Sequence, residues 1–137
     1  MTQSIVPFAR PLFLCEDFVR RERGKMDFLG AYHAVSPRKY PFTQDWMCVV
    51  AHLSGGLGTV NTYIDIREAE TDSLIHTSIP REIVLPSRDY LIRLTHRFQS
   101  VRFPKPGIYL VELYCEHECI ADISVFLRPP LTGSSDE

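Results

Sequence analysis

A segment of two alternating strands, residues 103–127, constrains the fold of this chain more than any other part of the sequence. Successive side chains of a strand point to opposite faces. A three-residue turn at residues 116–118 places one apolar row from each strand on the same side of a hairpin. Because a shift of one residue would expose one row to water, the sequence predicts this register, with both Cys115 and Cys119 buried. The two rows are Tyr109, Val111, Leu113 and Cys115, then Cys119, Ala121, Ile123, Val125 and Leu127.

Short apolar segments elsewhere in the chain indicate more strands of the same kind. About eight candidates follow one another at spacings of roughly 8 to 15 residues, and no segment has the periodicity of an amphipathic helix. The sequence therefore predicts an all-β fold: a single antiparallel β-sandwich, immunoglobulin-like or similar. We expect the sandwich domain at residues 10–128, a flexible leader at residues 1–9 and a disordered tail at residues 129–137.

Two regions before the middle of the chain have patterns that place them in this sandwich. Residues 11–15 and 26–35 are strand candidates, and the charged connector between them contains Gly24, which suits the left-handed position of a hairpin turn. Residues 46–53 are apolar on both faces apart from His52. A strand of that kind lies in the middle of a sheet with both faces covered.

Composition and charge narrow the class of protein. The chain has 137 residues with 45% hydrophobic and 23% charged content, which is typical of one globular domain. A formal net charge of -2 gives no reason to expect nucleic acid or a membrane surface as a partner. The first eight residues do not resemble a signal peptide, so we expect a cytoplasmic protein whose four cysteines are reduced.

Two motifs resemble a known family. Residues 14–17, Leu-Cys-Glu-Asp, are followed by Arg20, by Gly24-Lys25 and by residues 28–32, Phe-Leu-Gly-Ala-Tyr; the segment Pro-Gly-Ile-Tyr occupies residues 106–109. These features resemble a family of small uncharacterised bacterial proteins, a domain of unknown function, in which a Cys-acidic pair ends the first strand. The resemblance implies a compact β-sandwich and brings no established activity.

Cys115, His117 and Cys119 form the one cluster that has the residue types of a metal site. Thiolates and an imidazole suit zinc, although a closed structural site would need a fourth ligand from elsewhere in the chain. The alternatives are two buried thiols that pack as small hydrophobic groups and a redox-dependent disulfide across the two strands. The expected cofactor is none, with zinc as the alternative.

Charged residues in two separate regions are candidates for an interaction surface. The carboxylates beside Cys15 oppose the formation of a thiolate, so the pattern favours a packed Cys15 over a nucleophile. The segment from Arg81 to Lys105 is basic, the hairpin and tail after residue 111 are acidic, and opposed patches of this kind favour the meeting of two copies. The candidate surface residues are Glu16, Asp17, Arg20, Arg93 and Arg97.

No convergent catalytic set occurs in the sequence. The five histidines are scattered, and the glycines at residues 55–58 lack the lysine and the helix of a phosphate-binding loop. The sequence therefore predicts a non-enzymatic protein-interaction or structural module with an unknown protein partner or a second copy of itself. The alternatives are a metal- or thiol-dependent site at residues 115–119 and a small-ligand site that uses Trp46, Tyr63 and Tyr90.

Overall fold

The computed structural model describes residues 3–131, and these residues form ten strands. A single 3₁₀ turn, Glu22–Gly24, lies between the first two strands, and the described residues contain no α-helix. The strands are β1 Phe8–Arg20, β2 Met26–Tyr32, β3 Ala34–Val35, β4 Phe42–Ser54, β5 Gly58–Glu68, β6 Leu74–Thr77, β7 Arg81–Leu85, β8 Ile92–Phe103, β9 Gly107–Cys115 and β10 Glu118–Leu127.

These strands form two sheets, which confirms the predicted all-β sandwich. The four-stranded sheet has the order β2-β1-β4-β8, and the six-stranded sheet has the order β3-β10-β9-β5-β6, with β7 also paired to β5. Ten strands replace the predicted eight or so. Two details differ from the expected pattern: β3 pairs with β10 in parallel, and β1 and β4 have 13 residues each, so they are not short.

The core lies between the inner faces of the two sheets, and the late hairpin of β9 and β10 supplies one wall of it. Tyr109, Val111, Leu113 and Val125 are fully buried. The Tyr109 ring packs edge-on against Phe103 at 4.9 Å, and its hydroxyl donates to the Lys105 carbonyl at 2.6 Å. Each large apolar side chain buried in this way contributes about 1.5–3 kcal/mol, so the late hairpin is central to stability.

The turn of the late hairpin corrects one prediction. Glu116 and His117 alone form a two-residue turn, with positive φ angles of 50° and 68°, and Cys115 pairs with Glu118. Cys119 therefore lies opposite Tyr114 and is exposed, so the prediction that it points into the core was wrong. A bulge between Cys119 and Ala121 then restores the predicted register, because Ala121 pairs with Leu113.

The early hairpin of β1 and β2 is bent back on the outer face of its own sheet. Cys15 pairs with Cys48, so if β1 continued straight along β4, Phe18 would lie beside Asp45 of β4 and Ser100 of β8. Ser100 is about 23 Å from Arg93 along β8. Instead, the Arg93 guanidinium lies 5.8 Å from the centre of the Phe28 ring, and Phe28 is the cross-strand partner of Phe18. Residues 16–30 thus form a flap that covers part of the four-stranded sheet.

The bend occurs where Glu16 faces Gly30. Gly30 has a φ of 64°, a conformation that suits glycine, and a Cβ atom at this position would collide with the Glu16 side chain. On the other side, the Cys48 thiol donates to the Glu16 carbonyl at 3.6 Å. A glycine inside a strand often marks a tight bend, and here it allows β2 to follow β1 across the sheet.

The flap explains why the middle of β4, residues 47–51, is buried on both faces, as predicted, although Trp46 just before it is exposed. Met47, Val49 and Ala51 face the main core, whereas Cys48 and Val50 face outward and are nevertheless 0% exposed. A second, smaller apolar cluster covers them. It contains Cys15, Cys48 and Val50, with Phe13, Phe18 and Phe28 packed against them.

The predicted domain limits need one correction. The expected leader, residues 1–9, is too long, because β1 begins at Phe8 and Ile5 forms two backbone hydrogen bonds with Leu57, of 2.8 and 3.0 Å. Pro7 and Ala9 are buried. Residues 1–2 and 132–137, which carry parts of the predicted leader and tail, lie outside the described residues.

Candidate functional site

The flap brings together charged residues that the sequence offered as an interaction surface. The Arg97 Nη2 lies 2.6 Å from the Asp17 Oδ1, and the same guanidinium lies 4.6 Å from the centre of the Phe18 ring. Arg20 lies 5.6 Å from that ring. Cation–π contacts and a charge-assisted hydrogen bond are attractive, so Arg97 on β8 holds the flap on the sheet, whereas the contact of Arg20 lies within the flap.

A second set of contacts holds the other end of the flap. Besides its contact with Phe28, Arg93 donates from Nη1 to the Gly24 carbonyl at 3.3 Å and from Nε to the His52 Nε2 at 3.4 Å. The Phe28 ring also packs edge-on against Phe13, with ring centres 5.0 Å apart. Arg93 and Arg97 therefore act as two clasps, one at each end of the flap.

The pKa shifts of Asp17 and Arg97 agree with the geometry of their ion pair. The Phe18 backbone N–H donates to the Asp17 carboxylate at 2.8 Å, and this bond, followed by the Arg97 contact, lowers the pKa of Asp17. In return, the Asp17 carboxylate raises the pKa of Arg97. Both side chains are about half exposed, with relative exposures of 56% and 44%, so the pair is accessible to a partner and screened by solvent.

A shallow cavity lies beside this clasp. Its volume is about 350 Å³, and it is lined by Glu16, Asp17, Trp46 and Arg97. The Trp46 side chain is 48% exposed, although it belongs to a central strand of the sheet. A half-exposed tryptophan next to an arginine is typical of the residues that dominate binding energy at protein interfaces.

A larger cavity lies at the opposite end of the same face. It has a volume of about 490 Å³, and its lining includes Arg10, His52, Leu91 and Arg93 and contains no carboxylate. His52 and Trp46 both point outward from β4, six residues or about 20 Å apart along the strand. The outer face of the four-stranded sheet therefore has an acidic and aromatic end and a cationic end, with the flap between them.

The residues proposed as a metal site lie apart in the structure. Cys115 is buried in the main core, whereas Cys119 lies on the exposed side of the hairpin and donates to the Ala121 carbonyl at 3.5 Å. His117 is at the tip of the turn, 6.3 Å from the Tyr63 ring. Burial raises the pKa of the Cys115 thiol to about 11, and residues 3–131 contain no group of three or more side chains that could hold a metal ion.

The three aromatic residues considered for a small ligand are also dispersed. Trp46 lies on the outer face of the four-stranded sheet, whereas Tyr63 lies on the outer face of the six-stranded sheet and stacks on Tyr114 at 5.0 Å. Tyr90 is in the loop before β8. Trp46 lines the cavity beside Asp17 and Arg97, whereas Tyr63 lines a different cavity beside Glu116 and His117.

The outer face of the six-stranded sheet has a polar network that is complete within itself. Arg67 contacts Glu112 at 3.0 Å and Asp65 at 3.2 Å, and the Tyr114 hydroxyl donates to the same Glu112 oxygen at 3.1 Å. The Thr77 hydroxyl donates to Asp65. These side chains therefore satisfy one another's hydrogen-bonding capacity.

Sequence reasoning missed the pairing of Cys15 with Cys48. The two residues are directly opposite on β1 and β4, and both are fully buried under the flap. The sequence placed each cysteine on a strand, but only the pairing of strands that are distant in the chain shows that they meet. Of the scattered histidines, His96 is buried, whereas His52 lies on the outer face beside Arg93.

The fold and this surface define a class: an all-β sandwich whose first hairpin is folded over one outer face. Within that class the family is clear, because a family model described as "Family of unknown function (DUF6941)" matches residues 11–128, and the chain belongs to this family. The match includes the middle of the chain, which the two sequence motifs did not reach. No curated protein matches the chain. Within the described residues, no helix has the length and hydrophobicity needed to cross a membrane.

Proposed function

We propose that this protein is a non-enzymatic interaction module that binds a protein partner on the outer face of the four-stranded sheet. The observation that carries the proposal is Trp46, which stays 48% exposed on a central strand beside the Asp17–Arg97 pair. Exposing a large aromatic side chain in such a place leaves apolar area that a partner can bury at about 25 cal/mol per Å². The arginines and carboxylates around it supply orientation and specificity.

The charges along the outer face of the four-stranded sheet indicate which charges a partner would carry. A partner that crosses the flap would meet Glu16 and Trp46 at one end and Arg10, His52 and Arg93 at the other. The distance of about 20 Å between these ends suits an interface of ordinary size. A complementary partner therefore carries basic and apolar groups at one end and acidic groups at the other.

The test is site-specific photo-crosslinking in the source cells. A photoreactive residue in place of Trp46 should give a discrete crosslinked product, and Arg97→Ala should reduce that product. Val84 on β7 is a matched control, because it is 59% exposed and lies on the six-stranded sheet. Equal products from positions 46 and 84, or a product only from 84, would contradict the proposed surface.

A second copy of the chain is the other candidate partner. Exposed Glu116 and Glu118 at the tip of the late hairpin and the cationic end of the four-stranded sheet are opposite in charge and belong to different sheets, so they are available to neighbouring copies. Sedimentation velocity over a range of protein and salt concentrations tests this. Self-association that weakens as salt rises is expected for a homodimer held by these charges. A protein that sediments as a monomer at every protein and salt concentration would contradict the homodimer.

The proposed setting is the cytoplasm of a bacterium. Support comes from the resemblance to small bacterial proteins and from the four unbridged cysteines, one of which, Cys119, is exposed, since free thiols suit a reducing compartment. Cell fractionation followed by immunodetection tests the location. Recovery in the periplasmic or external fraction would contradict it.

A further inference from the structure

Two cysteines lie directly opposite each other at the base of the flap. Cys15 on β1 pairs with Cys48 on β4 in an antiparallel register, so both side chains point to the same face of the sheet. Opposed residues of antiparallel strands have Cα atoms about 4.5 or 5.5 Å apart. Both separations are within the range of about 4.4–6.8 Å that a disulfide requires, so the two backbones need not move apart or together for a bond to form.

The surroundings of the pair control its access to reagents. Both thiols are 0% exposed, and Phe13, Phe18 and Phe28 cover them. Burial, and then the nearby Cys48, raises the pKa of Cys15 to about 11, so its thiolate is scarce at neutral pH while the flap is closed. A reagent reaches the sulfur atoms when the flap lifts, and the flap is held by the exposed Asp17–Arg97 pair.

The pair is also connected to the bend of the flap. The Cys48 thiol donates to the carbonyl of Glu16, the residue at which β1 turns back over the sheet. A disulfide sulfur carries no hydrogen atom and cannot donate this bond. Oxidation of Cys48 therefore removes one of the contacts that hold the bend, at the same time as it links β1 to β4.

We propose that Cys15 and Cys48 form a reversible disulfide in response to peroxides, and that this bond loosens the flap. With the flap open, the Cys48 thiol, on the strand position opposite Arg97, gives its proton to solvent and its sulfur attacks a peroxide oxygen; the O–O bond breaks, the sulfur becomes a sulfenic acid, and the hydroxide that leaves takes a proton from solvent to become water. The Cys15 sulfur then attacks the sulfenic sulfur and displaces a second water. In total, two thiols and one hydrogen peroxide give one disulfide and two waters, and a dithiol reductant reverses the change.

The experiment uses the full chain with Cys119→Ser, which removes the exposed thiol. The reduced protein is treated with hydrogen peroxide, unfolded in an alkylating reagent and mapped by mass spectrometry. We expect a Cys15–Cys48 disulfide, two hydrogen atoms lighter than the two thiols, and dithiothreitol should reduce it back to the two thiols. Circular dichroism after the peroxide treatment and before the unfolding step verifies that the protein is still folded when the disulfide forms.

A pair of matched variants tests the role of the flap. Asp17→Asn weakens the clasp to Arg97 and should speed disulfide formation several-fold. Asp27→Asn removes a pair of similar length, 2.7 Å to Arg21, that lies within the flap, and should leave the rate unchanged. Hydrogen exchange should show faster exchange of the flap amides in the oxidised protein than in the reduced protein.

Three results would overturn the proposal. The first is a folded Asp17→Asn variant in which both thiols remain alkylatable after prolonged treatment with peroxide. The second is accumulation of sulfinic acid at Cys48 with Cys15 still reduced. The third is a disulfide that forms as proposed and leaves hydrogen exchange in the flap unchanged, which would refute the coupling to the bend.

Discussion

The two hairpins of this protein have similar local patterns and different roles. In the late hairpin, β9 and β10 place Tyr109, Val111, Leu113 and Val125 in the main core, all fully buried. In the early hairpin, the flap covers a small cluster with phenylalanines that are only half-buried. Because buried apolar area provides most of the stability of a hairpin, the late hairpin should open only when the whole domain unfolds, whereas the flap can open alone.

The ion pairs near the two hairpins also differ, because those near the late hairpin are more buried than the pair that fastens the flap. The six-stranded sheet beside the late hairpin keeps Arg67, with 25% of its side chain exposed, between two carboxylates. The flap is fastened by Arg97 and Asp17, which are about half exposed and therefore contribute little to stability. One hairpin is part of the core, and the other is fastened to the sheet by an exposed ion pair.

The largest effect should follow truncation in the late hairpin. Leu113→Ala removes a fully buried side chain from the core and is expected to lower the free energy of unfolding by about 2–5 kcal/mol. Urea denaturation measures the loss. Leu29→Ala in the flap is the control, because Leu29 is 47% exposed; equal losses at the two positions would abolish the difference between the hairpins.

The next largest effect should be a loss of stability at low pH, caused by the buried side chain of His96. Burial, and then Arg81, lowers the pKa of His96 from 6.5 to about 4. Between these values the unfolded chain binds a proton that the folded protein excludes, so stability is complete above pH 6.5 and falls as the pH drops toward 4. The difference corresponds to about 3 kcal/mol at most.

The pH prediction is tested by urea denaturation of the wild type and His96→Leu across this range. The carboxylates titrate alike in both proteins, so the difference between the two curves isolates the histidine. The gap in stability between the variant and the wild type should change in favour of the variant as the pH falls. Parallel curves would contradict the lowered pKa, because they would show that His96 binds its proton at the same pH in the folded protein as in the unfolded chain.

A smaller and local effect should follow a change at the bend. Gly30→Ala introduces a Cβ that meets the Glu16 side chain at a φ of 64°, and backbone strain of this kind costs about 1–3 kcal/mol. Gly24→Ala is a matched control, since Gly24 also has a positive φ, 73°, and no atom within contact distance of the added Cβ. Hydrogen exchange should accelerate in residues 16–30 more in the first variant than in the second.

The sequence predicted the late hairpin well because its register depends on local alternation. The pairs from Leu113 and Ala121 onward are those expected from the two apolar rows. The turn was one residue shorter than predicted because the Glu116 backbone N–H donates to the Asn61 carbonyl at 3.0 Å, and the Asn61 N–H donates to the Glu116 carboxylate at 2.6 Å. These bonds to β5 support a turn that has no glycine, and no local pattern signals them.

The flap could not be predicted in the same way. The sequence identified its strands, its connector and the charges Asp17, Arg93 and Arg97, but the charges meet only because β1 leaves β4 after Cys15 and bends back. That bend depends on contacts between residues that are between 32 and 80 positions apart in the chain. Gly30 is the one local signal, and a glycine within a strand candidate is ambiguous between a bend, a bulge and a close approach.

Hydrogen exchange of the native protein at residue resolution distinguishes a flap that opens alone from a flap that opens only with the whole domain. We expect amides of the flap, at residues 17–29, to exchange through local openings with a much lower free energy than global unfolding. Amides of β9, at residues 109–114, should exchange only at the rate of global unfolding. Equal protection of both hairpins would show that the flap is as firmly part of the domain as the core, and would refute independent opening.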